Sequence, residues 1–199
     1  MNSNCQSTIS GPALTKHDGY SSSDIVFAFQ CICQRQLLFE WIHRPRQHTW
    51  PSRELMQAIP KLPAYLVPAP VGCKSSENKH MEWRVCFTGE QKLIESFTES
   101  QYKLYILLKL INKHELKSIC EDMSSYVMKN IVFWLVESKA QHFFTRENLF
   151  VELISSLHML QQAIRDNHLF YYMIAGRNLL KGIIKPAEQR KLIEKNSKS

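Results

Sequence analysis

The chain has 199 residues, of which 44% are hydrophobic and 22% are charged, and its formal net charge at pH 7 is +7. This composition is ordinary for a globular protein with one good core and excludes a disordered chain. The most apolar segment, residues 104–111, is short and is interrupted by Lys109, so the sequence predicts neither a signal peptide nor a membrane span. We therefore expect an intracellular protein, in the cytoplasm or the nucleus.

The basic residues form two modest clusters, at residues 44–53 and 185–198. Such clusters can attract nucleic acid or another polyanion, but a solvated surface is the favoured interpretation of each. The six cysteines have no framework spacing, and we expect them to be free thiols rather than disulfide partners.

Short strand-like runs bounded by Gly, Pro and Ser dominate the chain as far as Phe87; they are residues 23–31, 63–68 and 82–87. The run 23–31 is almost wholly apolar, and it predicts a strand buried on both faces with Asp24 at its exposed start. Taken alone, Asp24 is either a turn or cap residue or a metal ligand.

The run 82–87 alternates between an apolar face and a polar one. The polar face consists of Arg84, Cys86 and Thr88. An arginine in such a strand must satisfy several hydrogen-bond donors, so it predicts either a structural salt bridge or a contact with the base or phosphate of a ligand.

The remainder of the chain has helical periodicity. Thr88 with Gln91 and Thr98 with Gln101 have the spacing of capping boxes. Two apolar stripes follow, each with the spacing of a helix, and then a longer helix that opens at Thr145 and ends near Asn167. Either Ser124 or Ser125 is expected to cap the helix that carries the second stripe, with Tyr126 half buried. The stripes are Leu104, Leu107, Leu108 and Ile111, then Val127, Ile131, Trp134 and Leu135.

The sequence therefore predicts an α+β fold with a strand-rich part in residues 1–87. A helical lobe follows in residues 88–184, and a basic tail in residues 185–199.

Nine short motifs occur in a recognisable order: "GPALT", "SDIVFAF", "TWPS", "YLVP", "EWRVCF", "LLK", "MSSYVMK", "ENL" and "IAGRNLL". In this order they resemble the Mab-twenty-one (male-abnormal) domain family, which includes cyclic GMP-AMP synthase and the animal cyclic GMP-AMP synthase-like receptors. The resemblance spans roughly residues 11–180. It implies a partial nucleotidyltransferase fold, with part of a mixed β-sheet followed by a helical lobe and nucleotides bound between the two.

The resemblance also implies roles for individual residues. In the family, three carboxylates on adjacent strands hold two Mg²⁺ or Mn²⁺ ions that promote nucleotidyl transfer. Asp24 matches the third carboxylate, which makes it the expected catalytic and metal-binding residue. The matched nucleotide contacts are Arg84, Cys86 and Thr88 for base and ribose, Lys109 for phosphate, Ser125 for phosphate or base, and Tyr126 for stacking on a base.

The departures from the family pattern are equally specific. The sequence contains no Glu-x-Asp or Asp-x-Asp pair and no Gly-Ser dipeptide, so we expect neither tight metal binding nor turnover by this chain alone. Gln91 and Cys86 stand where the synthase has a glutamate and a serine, which leaves base specificity open. No histidine lies between Phe87 and Lys109, so DNA sensing through the synthase's zinc thumb is excluded.

Two functions follow from this resemblance. The chain is either the C-terminal half of a cyclic-dinucleotide-forming receptor of innate immunity or a non-catalytic scaffold that binds nucleotide or protein. The expected partners are ATP- or GTP-type nucleotides, with double-stranded RNA or another polyanion as a candidate for the basic surface. A truncated product without independent function is the third interpretation.

Overall fold

A computed structural model of the chain describes residues 6–10, 13–17, 22–68 and 83–196. The first two residues of "GPALT", together with Cys5, Cys73, Glu82 and Lys198, lie outside the described residues. Within the described ranges the strands are β1 Gln6–Ser10, β2 Ala13–His17, β3 Ser22–Val26, β4 Phe29–Cys31, β5 Ala64–Pro68 and β6 Trp83–Phe87. The α-helices are α1 Gln34–Leu37, α2 Phe39–His43, α3 Arg53–Ala58, α4 Gly89–Glu95, α5 Glu99–Ile111, α6 Ser125–Ser138, α7 Leu149–Asp166 and α8 Pro186–Asn196. The expected α+β class is confirmed.

The strands form two small sheets, with strand orders β1-β2-β3 and β4-β5-β6. Every strand pair among the described residues is antiparallel. The resemblance implied a mixed sheet, and the described strands form only its antiparallel kind of pair. The register places Thr15 opposite Asp24 in the first sheet and Tyr65 opposite Cys86 in the second. The candidate residues of the strand-rich part are therefore divided between two sheets.

The prediction that residues 23–31 form one strand buried on both faces is wrong. The run is divided into β3 and β4, and Phe27 and Phe29 are 83% and 66% exposed. Both strands lie at the edges of their sheets, and only the side chain of Cys31 is buried. β-Branched and aromatic residues favour an extended backbone wherever they lie, whereas burial depends on what packs against the strand.

The hydrophobic core lies among the helices, with α6 at its centre. Both α5 and α7 pack against α6, and the predicted stripe residues Val127, Ile131 and Leu135 are buried. Residues on the other sides of α6, including Phe133 and Val136, are buried as well. A helix that is apolar nearly all round is expected at the middle of a core rather than on its surface.

The predicted helix ends are confirmed at two positions. The Thr98 side chain and the Gln101 side chain exchange hydrogen bonds with each other's backbone, which is the capping box expected at the start of α5. At the end of α7, Asn167 adopts the left-handed conformation with φ of 48°, which stops the helix where the sequence predicted.

The predicted side-chain cap at Thr88 and the predicted helix start at Thr145 are wrong, although Thr88 does directly precede α4. The side chain of Thr88 does not cap α4; its hydroxyl donates a 2.6 Å hydrogen bond to the carbonyl of Pro63 instead. Thr145 precedes α7 by several residues, because the helix begins at Leu149 and the Thr145 hydroxyl accepts a bond from the Asn148 amide. The Thr88 hydroxyl thus binds a distant carbonyl group, whereas the Thr145 hydroxyl accepts a bond of the capping type from the amide three residues further on.

The interpretation of Arg44 and Arg46 as solvated surface residues is wrong. Arg44 Nη2 and Arg46 Nε both donate 2.9 Å hydrogen bonds to Oε2 of Glu137 on α6, and the Arg46 side chain is only 6% exposed. Tyr172 donates a third bond of 2.6 Å to the same oxygen. A buried carboxylate with several charge-assisted donors is well satisfied, so this cluster ties the segment after α2 to the helical core.

The C-terminal helix α8 packs against α7. Its residue Leu192 is buried, and Gln189 Nε2 donates to the carbonyl oxygens of Ile164 and Arg165 at 2.7 and 3.0 Å. These bonds satisfy carbonyl groups at the end of α7 that lack a partner within that helix. The boundaries at residues 87 and 184 remain predictions.

Four of the cysteines, Cys31, Cys33, Cys86 and Cys120, are free thiols, as the sequence predicted for them. Among the helices of the described residues, none combines the length and the apolar character that crossing a membrane requires.

Candidate functional site

Two of the predicted nucleotide contacts, Lys109 and Ser125, lie in the wall of one cavity. The cavity has a volume of about 440 Å³. We call it the lysine cavity; its wall is formed by Lys109, Lys113, Lys117, Asn112 and Ser125 together with the apolar side chains of Ile106 and Leu110.

The spacing of the three lysines along the chain explains why they lie in one wall of the cavity. Lys109 lies near the end of α5, and Lys113 and Lys117 follow at four-residue intervals through a π-helical segment, Asn112–Leu116, that continues α5. Residues four apart lie on the same side of a helix, one turn above another. The spacing therefore concentrates positive charge along one wall of the cavity.

The start of α6 also contributes positive charge to the wall of the cavity. Ser125 is the first residue of that helix, and the preceding Ser124 forms no side-chain cap. The first amide groups of a helix have no partners within it, and the helix dipole adds partial positive charge there. The wall at Ser125 thus reinforces the field of the lysines.

The lysines of the cavity form no salt bridge with a carboxylate of the described residues. Lys129 pairs with Glu90 and Lys139 with Glu152, but no ion pair within the described ranges involves a lysine of the cavity. Lys109 Nζ lies 5.3 Å from the centre of the Tyr105 ring, a contact that leaves its charge intact. An anion in the cavity would therefore not have to displace a salt-bridged carboxylate from these lysines.

Sequence reasoning missed Asn112, Lys113 and Lys117. Asn112 is 2% exposed, and its Nδ2 donates a 3.1 Å hydrogen bond to the carbonyl of Met123. Its Oδ1 has no hydrogen-bond partner. The four-residue spacing of the lysines was visible in the sequence, whereas the unpaired oxygen of Asn112 was not.

Tyr126, the predicted stacking residue, follows Ser125 and contacts a buried carboxylate. Its phenol donates to Glu90 Oε1 at 2.9 Å, and the phenol of Tyr171 donates to the same oxygen at 2.8 Å. Lys129 forms a salt bridge with the other oxygen of Glu90, and its Nζ lies 4.4 Å from the centre of the Tyr126 ring. Tyr126 is half buried, as expected.

Burial, and then the negative charge of Glu90, raise the pKa of both Tyr126 and Tyr171. Both phenols therefore remain protonated donors at neutral pH. Since Lys129 lies over one face of the Tyr126 ring, a nucleotide base would have to stack on the other face. The role of Tyr126 as a stacking residue remains a prediction, and Glu90 and Tyr171 are partners that the sequence did not indicate.

The three predicted contacts near β6 are not gathered in the lysine cavity. Arg84 is exposed on the edge strand β6, and within the described residues it forms no salt bridge. The salt bridge favoured for Arg84 is therefore not found there. Cys86 is half buried opposite Tyr65, and the hydroxyl of Thr88 is occupied by Pro63.

Asp24 lies on β3, in the other sheet, and is exposed. The hydroxyl of Thr15, directly across the strand pair, donates a 2.6 Å hydrogen bond to its Oδ1. Within the described ranges no group of three or more His, Cys, Asp or Glu side chains could hold a metal ion. One carboxylate and one hydroxyl fall short of the ligands that a pair of Mg²⁺ or Mn²⁺ ions requires, and the role of Asp24 as a metal ligand remains a prediction.

One comparison with known proteins identifies a relationship. The family model of the Mab-21 protein HhH/H2TH-like domain matches residues 90–196, a segment that begins at Glu90 and contains the whole lysine cavity and Tyr126. Asp24, Arg84, Cys86 and Thr88 precede it. No curated protein matches the chain in sequence. Because the family model covers more than half of the chain, the protein belongs to the Mab-21 family and is thereby related to nucleotidyltransferases of the cyclic GMP-AMP synthase type.

Proposed function

We propose that this chain binds an ATP- or GTP-type nucleotide in the cytoplasm and that the lysine cavity holds the phosphates of the nucleotide. The observation that carries the proposal is the meeting of Lys109 and Ser125 in one cavity. The two residues were matched separately to family contacts, Lys109 to phosphate and Ser125 to phosphate or base, and they are 16 positions apart in the sequence.

The electrostatics of the cavity supports the same ligand. Three lysines and the first residue of α6 line the cavity, so its wall is rich in positive charge and hydrogen-bond donors. Phosphate oxygens are acceptors, and charge-assisted hydrogen bonds to them are stronger than neutral ones. Tyr126, next to Ser125, provides an aromatic ring for the base.

Binding without turnover is the activity that we propose for the chain by itself. The sequence lacks the paired carboxylates and the Gly-Ser dipeptide of the family's catalytic strand, and two-metal transfer needs carboxylates to hold both ions. Formation of a cyclic dinucleotide in innate immune signalling would require a form of the protein that supplies these groups.

Calorimetric titration of the whole chain with ATP and GTP at low ionic strength tests the proposal. We expect binding, and we expect Lys109→Gln to weaken it about tenfold, since hydrogen bonds to charged groups contribute about 1.5–3 kcal/mol. Lys103→Gln is the matched control, because Lys103 lies on the same helix but is exposed and pairs with Glu99 outside the cavity. The absence of binding, or an equal loss in both variants, would overturn the proposal.

A second candidate is a scaffold that associates through the strand-rich part. The large apolar side chains of Phe27, Phe29 and Ile32 are all exposed there, and contiguous exposed apolar surface is characteristic of interaction sites. If this candidate is correct, the protein self-associates at micromolar concentration, and Phe29→Ser reduces the association while ATP affinity is unchanged. A monomer at all concentrations in light scattering would remove it.

A further inference from the structure

We propose that Cys31 and Cys33 form a reversible disulfide bond by exchange with a small disulfide of the glutathione class. Cys33 is the attacking thiol, and Cys31 is the resolving thiol. Both cysteines precede the family-matched residues 90–196, and neither belongs to the wall of the lysine cavity. The inference is therefore independent of nucleotide binding.

The contact between the two thiols is the first observation. Sγ of Cys31 lies 3.2 Å from Sγ of Cys33. Residues two apart in an extended strand point to the same face, but their Cα atoms are about 6.6 Å apart. Here β4 ends at Cys31 and a turn follows at residues 32 and 33, which brings the two side chains together. Small side-chain rotations therefore suffice to close an S–S bond.

The difference in exposure is the second observation. Cys33 is exposed, whereas Cys31 is only 4% exposed. A dissolved disulfide therefore reaches Cys33 first. Once Cys33 carries a mixed disulfide, Cys31 is the thiol that already contacts it. An accessible cysteine next to a resolving cysteine is the arrangement found in redox-sensing proteins.

The backbone holds both residues in place. Cys31 pairs with the buried Ala64 in the ladder between β4 and β5. The carbonyl of Cys33 accepts hydrogen bonds of 3.1 and 3.2 Å from the amides of Gln36 and Leu37 in α1. Because neither residue moves away without breaking these bonds, the second thiol attacks at a high effective concentration.

The atoms and electrons balance over two exchange steps. The Cys33 thiolate attacks one sulfur of glutathione disulfide, forms a mixed disulfide and releases one glutathione thiolate. The Cys31 thiolate then attacks Cys33 Sγ, forms the internal disulfide and releases the second glutathione. The two cysteines are oxidised with the loss of two protons and two electrons, and glutathione disulfide is reduced to two thiols. A dithiol such as dithiothreitol reverses both steps.

A zinc site fits this pair less well than a disulfide. Structural zinc needs four ligands, and two thiols supply half of them. Within the described ranges no group of three or more His, Cys, Asp or Glu side chains could hold a metal ion. The pair therefore lacks the further ligands that a closed zinc site requires.

The first test incubates the reduced whole chain with glutathione disulfide, blocks the remaining thiols with N-ethylmaleimide and digests the chain with trypsin for mass spectrometry. The hydrogen bond with Cys31 raises the pKa of the Cys33 thiol. Since the thiolate is the attacking form, the incubation is run at about pH 8. Cleavage after Lys16 and Arg35 releases one peptide, residues 17–35, whose only cysteines are Cys31 and Cys33.

We expect this peptide to lose two hydrogen atoms and to escape the maleimide about tenfold faster than Cys86 or Cys120 is modified, because exchange within the pair is intramolecular. Dithiothreitol should restore both thiols. Modification of Cys86 as fast as that of the pair, or a mixed disulfide that persists on Cys33 of the unmodified chain, would overturn the inference. A dimer linked through these cysteines on a non-reducing gel would overturn it as well.

The second test separates the two roles with Cys31→Ser and Cys33→Ser. We expect Cys31→Ser to stop at the mixed disulfide, with one glutathione on Cys33. In Cys33→Ser the buried Cys31 should stay unmodified over the same time. Equal modification of the remaining cysteine in both folded variants would show that Cys33 is not the attacking thiol. If either variant does not fold, as judged by circular dichroism, the result for the unmodified chain decides.

Discussion

The phenol of Tyr126 donates a hydrogen bond of 2.9 Å to Oε1 of Glu90. The bond joins the start of α6 to the first turn of α4, and Tyr171 and Lys129 bind the same carboxylate. Tyr126 is thus both the predicted stacking residue of the site and a member of a buried ionic cluster. Because the two roles use different parts of the side chain, the hydroxyl and the ring, variants can separate them.

We expect Glu90→Gln to lower the free energy of unfolding by about 3 kcal/mol, because removing one partner of a buried ion pair leaves the other charge uncompensated. Glu90 is 6% exposed, and its partner Lys129 is also largely covered. Urea denaturation followed by circular dichroism provides the measurement. Glu95→Gln is the control, since Glu95 forms an exposed pair with Lys92 and loss of such a pair should change the stability very little. Similar losses in the two variants would show that burial does not strengthen the Glu90 pair.

We expect Tyr126→Phe to keep the affinity for ATP within about twofold while lowering stability, since it retains the ring and loses the bond to Glu90. Tyr126→Ala removes the stacking surface as well, and we expect it to weaken ATP binding by about 1–3 kcal/mol. Calorimetric titration of both folded variants tests the comparison. Unchanged affinity in the alanine variant would exclude stacking on this ring.

Hydrogen exchange should divide the chain into two regions. We expect the amides of residues 127–136 to exchange most slowly, because α6 is surrounded by α5, α7 and buried side chains. The amides of residues 22–30 should exchange quickly, since β3 and β4 are edge strands with exposed side chains. Mass spectrometry of peptides after exchange in deuterated buffer gives both rates in one sample. Equal protection of the two regions would contradict this division.

The start of α8 should weaken at acid pH. The backbone amide of Lys185 donates a 2.9 Å bond to Glu188 Oε2, and this bond is the main cause that holds the pKa of Glu188 below its ordinary value of 4.5. A depressed pKa in the folded state means that the stabilisation is present above the unfolded value and disappears as pH falls through the folded one. We therefore expect backbone amides near residues 186–190 to lose protection from hydrogen exchange as the pH falls below about 4.5, the ordinary pKa of a glutamate.

Glu188→Gln tests the origin of that effect, since glutamine cannot titrate. The variant should show the same reduced protection of α8 at pH 7 and at pH 4. If protection of α8 in the unmodified chain does not change over this range, the carboxylate of Glu188 makes no net contribution to the helix start.

The features that sequence reasoning predicted correctly depend on neighbouring residues. The capping box of Thr98 and Gln101, the end of α7 at Asn167 and the apolar stripes of α5 and α6 involve residues three or four positions apart. A helix brings such residues together whatever the remainder of the chain does. The expectation for Thr88 was wrong because its hydroxyl binds Pro63, which is 25 positions away.

Lys109, Ser125 and Tyr126 were selected through ordered motifs, and all three lie within the segment matched by the family model; the structure brings Lys109 and Ser125 together in one cavity. The order of the motifs reflects common ancestry. It can therefore identify a candidate site residue by its position in a motif without showing which side chains surround that residue in the fold. Asn112 was missed for this reason: no pattern of residue types distinguishes a satisfied buried amide from one whose oxygen lacks a partner.

By itself, the sequence determined the class of the fold, the family, the course of the main helices and two residues of the cavity. The tertiary structure alone decided that residues 23–30 are exposed, that Arg44 and Arg46 bind Glu137 and that Glu90 binds Tyr126 and Tyr171. The partners in these ion pairs and hydrogen bonds are between 36 and 93 positions apart. Local periodicity predicts which residues a helix brings together. It does not predict which buried partner a distant charged residue contacts, because that depends on the packing of every element between them.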